Sequence, residues 1–222
     1  MSAVNALNRA QLYTILDLGY VAPARAEAAT EELLEGGADL IQLRGKKHGV
    51  EELAGLAEKL HGLTSAAEVP LIVNDHPEIA RDLSLEGLHL GQDNLTIAAA
   101  REIVRYDCWI GKSTHSVTQA RAALAEGADY IGFGPLFATP TKPDYPPIGM
   151  DEIRRVHELV QLPIFCIGGI KLENLAEVLA AGAKRVVIVS GLLESADIAA
   201  ATRVAKEQLE ISNQQSQISN QK

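Results

Sequence analysis

Three stretches of the chain follow one plan: Glu35-Gly-Gly-Ala-Asp-Leu-Ile-Gln42, Glu126-Gly-Ala-Asp-Tyr-Ile-Gly132 and Ala181-Gly-Ala-Lys-Arg-Val-Val187. In each, a helix-forming run stops at glycine, alanine follows, and a short apolar run begins. Glycine supplies the left-handed position that ends a helix, and so short a loop feeds the chain straight into the next strand. Repeated joints of this kind are what the bottom face of a parallel barrel requires. Outward from them, short apolar runs alternate with Ala/Leu/Glu-rich amphipathic stretches. The apolar runs predict strands at Leu12–Leu16, Leu40–Leu43, Leu71–Val73, Gly87–Leu90, Cys108–Ile110, Tyr130–Phe133, Ile164–Ile167 and Val186–Val189. The amphipathic stretches predict helices at Ala22–Glu35, Val50–Ala67, Pro77–Leu83, Ile97–Tyr106, Val117–Glu126, Met150–Leu159, Leu172–Ala181 and Ile198–Leu209. Eight β/α alternations describe a single (β/α)8 TIM barrel of the α/β class with short loops. A doubly wound sheet, which reaches five or six strands at this length, is the second choice.

Composition agrees. The chain has 222 residues, 47 % of them apolar and only 4 % aromatic, which suits layered helix-on-sheet packing and excludes a disordered chain. The barrel is expected over residues 11–210, after an N-terminal extension at 1–10 and before a polar, low-complexity tail at 211–222 read as frayed or disordered. No stretch approaches a membrane span, and Met1–Ala10 lacks a basic start and an apolar core, so neither a membrane nor a signal-directed role is expected. Cys108 and Cys166 sit inside apolar runs and read as buried free thiols, in keeping with a cytoplasmic protein. With 29 acidic against 20 basic residues and a net charge of -9, nucleic acid is not an expected partner. An anionic small molecule is compatible with that charge if the few cations converge.

In a barrel the reactive groups belong at the C-terminal ends of the strands, and the unusual polar residues fall there. Gln42-Leu-Arg-Gly-Lys46 puts Gln42, Arg44 and Lys46 on one face of extended chain, a multidentate anion clamp if it is more than a solvated strand end. Asn74 and Asp75 end the third strand, where Asp75 can hold a hard cation or cap the helix that starts at Pro77. His89 precedes an apolar leucine and reads as a packed core histidine. Gly111-Lys-Ser-Thr-His115 is a small polar loop or a helix cap. The long Pro/Gly segment from Gly132 to Gly149 carries Thr139, Thr141 and Lys142 between apolar anchors and reads as a lid or binding loop. Gly168-Gly169 and Val189-Ser190 follow the last two strands, where many barrels bind phosphate.

These motifs together resemble the thiamine-phosphate synthase (thiamine-phosphate pyrophosphorylase) family over roughly residues 12–205: Gln42 to Lys46, Val73-Asn-Asp75, His89-Leu-Gly-Gln92, Gly111 to His115, Gly134 to Lys142 with Asp144, Ile167-Gly-Gly-Ile170 and Val189-Ser190. The resemblance implies a transferase of thiamine biosynthesis. It would condense 4-amino-2-methyl-5-(diphosphooxymethyl)pyrimidine with a thiazole phosphate, by Mg2+-assisted dissociative loss of pyrophosphate. It implies that Gln42, Arg44, Lys46, Asn74, Ser113 and Lys142 hold the pyrimidine diphosphate. Thr139, Thr141, Gly169, Val189 and Ser190 would hold the thiazole phosphate. Asp75 would bind Mg2+ with Asn94, which stands where the family usually has a second aspartate, beside Asp93. The implied partners are these small molecules, with neither nucleic acid nor membrane, and a homo-oligomer is compatible. Two alternatives use the same barrel: a thiazole tautomerase with His115 as acid/base, and a non-catalytic thiazole-phosphate sensor.

Overall fold

A computed structural model of the chain describes residues 3–139 and 146–219. Eight parallel strands close into a barrel in sequence order: β1 (Leu12–Asp17), β2 (Leu40–Arg44), β3 (Leu71–Asn74), β4 (Gly87–Leu90), β5 (Trp109–Thr114), β6 (Tyr130–Phe133), β7 (Ile164–Cys166) and β8 (Val186–Ile188). The β1–β8 pairing, Leu12 against Val186, seals the seam. Helices return the chain between strands: α2 (Ala26–Glu35), α3 (Val50–Ala66), α4 (Pro77–Asp82), α5 (Ile97–Arg101), α6 (Val117–Ala125), α7 (Glu152–Leu159), α8 (Leu172–Ala180), α9 (Ser190–Leu193) and α10 (Ile198–Ser219). Ahead of them, α1 (Ala3–Arg9) leads into β1.

The three repeated joints explain the closure. Gly37, Gly127 and Gly182 end their helices at φ of +89°, +87° and +109°, a region where only glycine is free of steric cost. The aspartate of the motif has its own task. Asp39 accepts the backbone N–H of Gln11 and Leu12 at 2.8 and 2.9 Å, and Lys206 of α10 pairs with it at 2.6 Å. Asp129 likewise accepts the Ile110 N–H at 2.7 Å and pairs with Arg101. Each carboxylate ties the foot of one strand to its neighbour and to an outer helix.

Within each strand alternate residues point in and out. The outward set, such as Leu12, Leu16, Ile41, Leu43, Leu88, Ile131 and Ile188, packs under the helices. The inward set starts apolar, with Tyr13, Leu40, Ile72, Trp109, Tyr130, Phe165 and Val187, and Leu7 and Ala10 join it from below. Thus the extension at 1–10 contributes a helix whose end packs on the barrel floor. The polar segment expected to fray from residue 211 is carried into α10 as far as Ser219, and Asn213 donates to the Lys184 carbonyl at 3.1 Å. Several element boundaries differ from expectation, and α2 opens only at Ala26, after a 3-10 turn at Pro23–Arg25. Strand β5 runs on to Thr114, because Lys112 and Ser113 continue the ladder against β6. Helix α5 stops at Arg101, where i−3 bonding such as Ile103 N–H to Ala100 O tightens the turn. No helix among the described residues is long and apolar enough to cross a membrane.

Candidate functional site

Higher up the barrel the inward faces turn polar. Asp17, Gln42, Arg44, Asn74, His89 and Ser113 line a cavity at the C-terminal mouth, with His115, Thr139, Gly168, Gly169, Val189 and Ser190 around it. It encloses about 890 Å³, counting its open mouth. A second hollow adjoins it, sharing Asp17 and Arg44 and adding Lys46, Lys47 and His48. On a chain with a net charge of -9, this concentration of cations at one place is an electrostatic focus for an anion.

Gln42 and Arg44 share one face, as extended geometry requires. The Arg44 guanidinium donates to the Asp17 carboxylate, which faces it directly in the β1–β2 register and also accepts the Gly19 N–H at 2.9 Å. Their side chains are only 15 % and 4 % exposed, so the guanidinium is held in place before any ligand arrives. Lys46 lies beyond the strand, in the second hollow, and its ammonium donates to Asp75. Asp75 adopts φ +69°, a conformation that costs a non-glycine residue about 1–3 kcal/mol. Its own N–H, donated to the His89 carbonyl at 2.9 Å, helps to retain it there. Asn94 is exposed and its side-chain oxygen accepts the Gly91 N–H at 2.6 Å.

Among the described residues no three acidic, histidine or cysteine side chains converge to hold a metal by themselves. Asp75, anchored beside the cationic mouth, nevertheless fits Mg2+, which takes one or two carboxylates and completes its shell with water and substrate phosphate.

Across the cavity, Gly168 and Gly169 turn the chain after β7 at φ of +103° and +67°. A Cβ on Gly169 would stand 2.7 Å from Phe137 Cβ and 2.9 Å from the Ala138 carbonyl. The turn is pinned to α8: Asn174 donates to the Gly169 carbonyl at 2.9 Å and accepts the Lys171 N–H at 2.8 Å. Ser190 opens α9 beside it, and the first N–H groups of a helix have no partner within the helix. This side is a backbone-lined cup suited to a phosphate. Thr139 reaches the same cavity, while Thr141, Lys142 and Asp144 lie outside the described residues.

His89 is buried, as a core histidine should be, yet it also lines the cavity and lies 3.0 Å from the Ser113 hydroxyl. Asp17, Tyr13 and Tyr130 escaped the sequence reading. The signal that could have found Asp17 is a lone carboxylate at the end of an apolar strand. The glycine at 111 makes room for Tyr130, since a Cβ there would lie 2.0 Å from its ring. His115 places Nδ1 2.5 Å from the Gly134 carbonyl. Burial pushes the thiols of Cys108 and Cys166 up to about 12, so neither serves as a thiolate.

Comparison with known proteins gives a consistent result. The sequence profile of the family described as "Thiamine monophosphate synthase" matches residues 12–192. The thiamine-phosphate synthase of Chloroflexus aurantiacus is 39 % identical over 194 residues, covering 87 % of this chain and 89 % of that one. That of Halalkalibacterium halodurans is 40 % identical, covering 85 % and 90 %. Among solved structures, a thiamine phosphate pyrophosphorylase from Pyrococcus furiosus superposes with a TM-score of 0.85 at 31 % identity, covering 93 % of this chain and 98 % of that one.

Proposed function

The chain belongs to the thiamine monophosphate synthase family, an enzyme family of thiamine biosynthesis, and from that premise we propose that it joins an aminopyrimidine methyl diphosphate to a thiazole phosphate with release of pyrophosphate. The observation that carries this reading is the two-sided cavity: a cationic mouth anchored by Arg44 faces a glycine-lined cup at Gly169 and Ser190. One anion is held by side-chain charge and the other by backbone donors, so two phosphorylated substrates can lie together.

On this reading Gln42, Asn74 and Ser113 hold the pyrimidine ring and its methylene, while Arg44, Lys46 and Lys142 take the diphosphate. Thr139, Thr141, Gly169, Val189 and Ser190 take the thiazole phosphate. Asp75, with Asn94 from the loop after the neighbouring strand β4, would hold Mg2+. When bound, that ion neutralises charge on the departing pyrophosphate. Arg44, already oriented by Asp17, stabilises the same charge without having to reorganise. The cup fixes the thiazole so that its nitrogen meets the methylene carbon once the carbon–oxygen bond has broken, and alignment replaces any protein nucleophile. The substrates and the buried, reduced thiols fit a cytoplasmic enzyme, with the reaction housed in the barrel at 11–210.

Incubation with both substrates and Mg2+, followed by chromatographic detection of thiamine phosphate, tests the reading. Product and stoichiometric pyrophosphate are expected. Tight binding of the thiazole phosphate with no product from the pair would replace the synthase by a sensor, and thiazole isomerisation alone would replace it by a tautomerase.

A further inference from the structure

Five side chains from five strands form one hydrogen-bonded chain across the barrel interior. Gln42 Nε2 on β2 donates to the Tyr13 hydroxyl on β1. Tyr13 Oη lies 3.3 Å from Tyr130 Oη on β6, and Tyr130 Oη lies 3.2 Å from His89 Nδ1 on β4. His89 Nε2 then lies 3.0 Å from Ser113 Oγ on β5. Gln42, Tyr13 and Tyr130 are at most 1 % exposed. Burial pushes both phenols well above their ordinary range, so they stay protonated at neutral pH. Both ends of the chain, Gln42 and Ser113, line the cavity. The Gln42 side-chain oxygen is buried and accepts no hydrogen bond among the described residues, so an acceptor waits there for a donor.

The chain has a direction. A hydroxyl carries one proton and a neutral imidazole one N–H, so one sense of the chain uses every proton along it. An amide nitrogen only donates; in the sense that continues from it, Tyr13 gives its proton to Tyr130 and Tyr130 gives its own to His89 Nδ1, two bonds whose geometry serves either direction. The same sense puts the imidazole proton on Nε2, donated to Ser113 Oγ. The Ser113 proton is left for the cavity. In that sense one end of the chain offers an acceptor and the other a donor.

We propose that Tyr13, Tyr130 and His89 are positioning residues that fix the hydrogen-bond polarity of the cavity floor, so that it reads an exocyclic amine beside a ring nitrogen and rejects the 4-oxo analogue, whose carbonyl and N–H present the opposite pattern in the same pose. This rests on the reading of the cavity as a pyrimidine site and adds to it the residues that discriminate amine from carbonyl. A site built around paired donors and acceptors rejects a mismatched ligand because buried groups are left unsatisfied.

Two measurements test the proposal. The first is 15N NMR of the whole protein labelled at histidine, with the His89 signals assigned by loss in His89→Gln. The Nε2–H tautomer is expected, and an Nδ1–H tautomer in the wild type overturns the proposal whatever the variants do. The second is calorimetric binding of the aminopyrimidine diphosphate and its 4-oxo analogue to wild type and Tyr130→Phe. That substitution keeps the ring between Tyr13 and Phe165 and removes only the hydroxyl. Wild type should prefer the amine on the order of 10²-fold, and the variant should lose about tenfold of that ratio with a shift in the His89 tautomer. A uniform loss of both ligands at an unchanged ratio means a structural role alone, and overturns it. A wild type that forms thiamine phosphate but binds both analogues equally overturns the proposal alone. Strong amine preference with no thiamine phosphate formed supports it and sinks the synthase reading instead. Failure to bind either pyrimidine overturns both.

Discussion

Arg44 and Asp17 face each other across two strands, and their pairing decides what a substitution measures. Removing the guanidinium strands a carboxylate that is 4 % exposed. Arg44→Ala is therefore expected to lower stability by about 3 kcal/mol, the lower end of the cost of breaking a buried pair. It should also cut turnover by about 10²–10³. The double change Asp17→Asn/Arg44→Gln discharges both partners and should recover the melting temperature without recovering turnover. Thermal melts beside steady-state rates separate the two effects, and near-normal kcat/KM in Arg44→Ala would remove β2 from the mechanism. Asp75 and Asn94 invite a different measurement, the Mg2+ concentration at half-maximal rate. Asp75→Asn should raise it sharply, since it removes the carboxylate anchored at the mouth. Asn94→Asp should lower it, because either side chain can cap the Gly91 N–H while only the carboxylate adds charge. No change there, with a collapse in Asp93→Asn, would make Asp93 the second ligand. Gln42 and Arg44 were legible from the two-residue period of a strand. Asp17 was not, because its partner stands 27 residues away and the register that joins them is a property of the closed sheet.

At the level of elements, the cup proposed for a phosphate depends on how β7 and β8 end rather than on any side chain's charge. Two left-handed glycines, an asparagine brace to α8 and the start of α9 build it from backbone. Ser190→Asp sets a carboxylate among those donors, and like charges repel. KM for the thiazole phosphate should rise at least about tenfold, while Mg2+-dependent calorimetric binding of the pyrimidine diphosphate persists. Equal loss of both substrates would mean that the halves are not separate. The Gly168-Gly169 pair and the strand before it could be read directly, since glycine is what lets a chain turn through left-handed conformations straight after a buried strand. The short α1 and α9 could not. Each is too brief to show a helical period, and α1 is held by Leu7 packing on a barrel floor that exists only after closure. The same applies to the tail of α10, whose polar residues carry no apolar stripe to announce a helix.

Across the whole molecule, titration away from the cavity sets the acid limit. Burial first, and then the nearby charges of Lys184 and Arg185, hold the His157 imidazole down to about 4. The unfolded chain, with an ordinary histidine near 6.5, takes up the proton first. Stability is thus complete above about pH 6.5 and falls as pH drops toward 4, by on the order of 2 kcal/mol after allowing for partial exposure. His157→Gln should flatten the melting-temperature profile across that window, and an unchanged slope would assign the acid sensitivity to other groups. The seam between β1 and β8 carries a consequence of a different kind, in time. Leu12 leaves the ribosome early, and its ladder partner Val186 follows only 174 residues later, as the register Leu12 to Val186 dictates. At about 5–20 residues per second, β1 shows an unpaired edge for about 9–35 s in every round of synthesis. A sheet edge left open is a template for a neighbouring chain. Polysomes that crowd nascent copies of this protein therefore meet its aggregation hazard before any copy has a barrel, and slowing translation over residues 12–186 should lower the soluble yield even though the finished fold is unchanged.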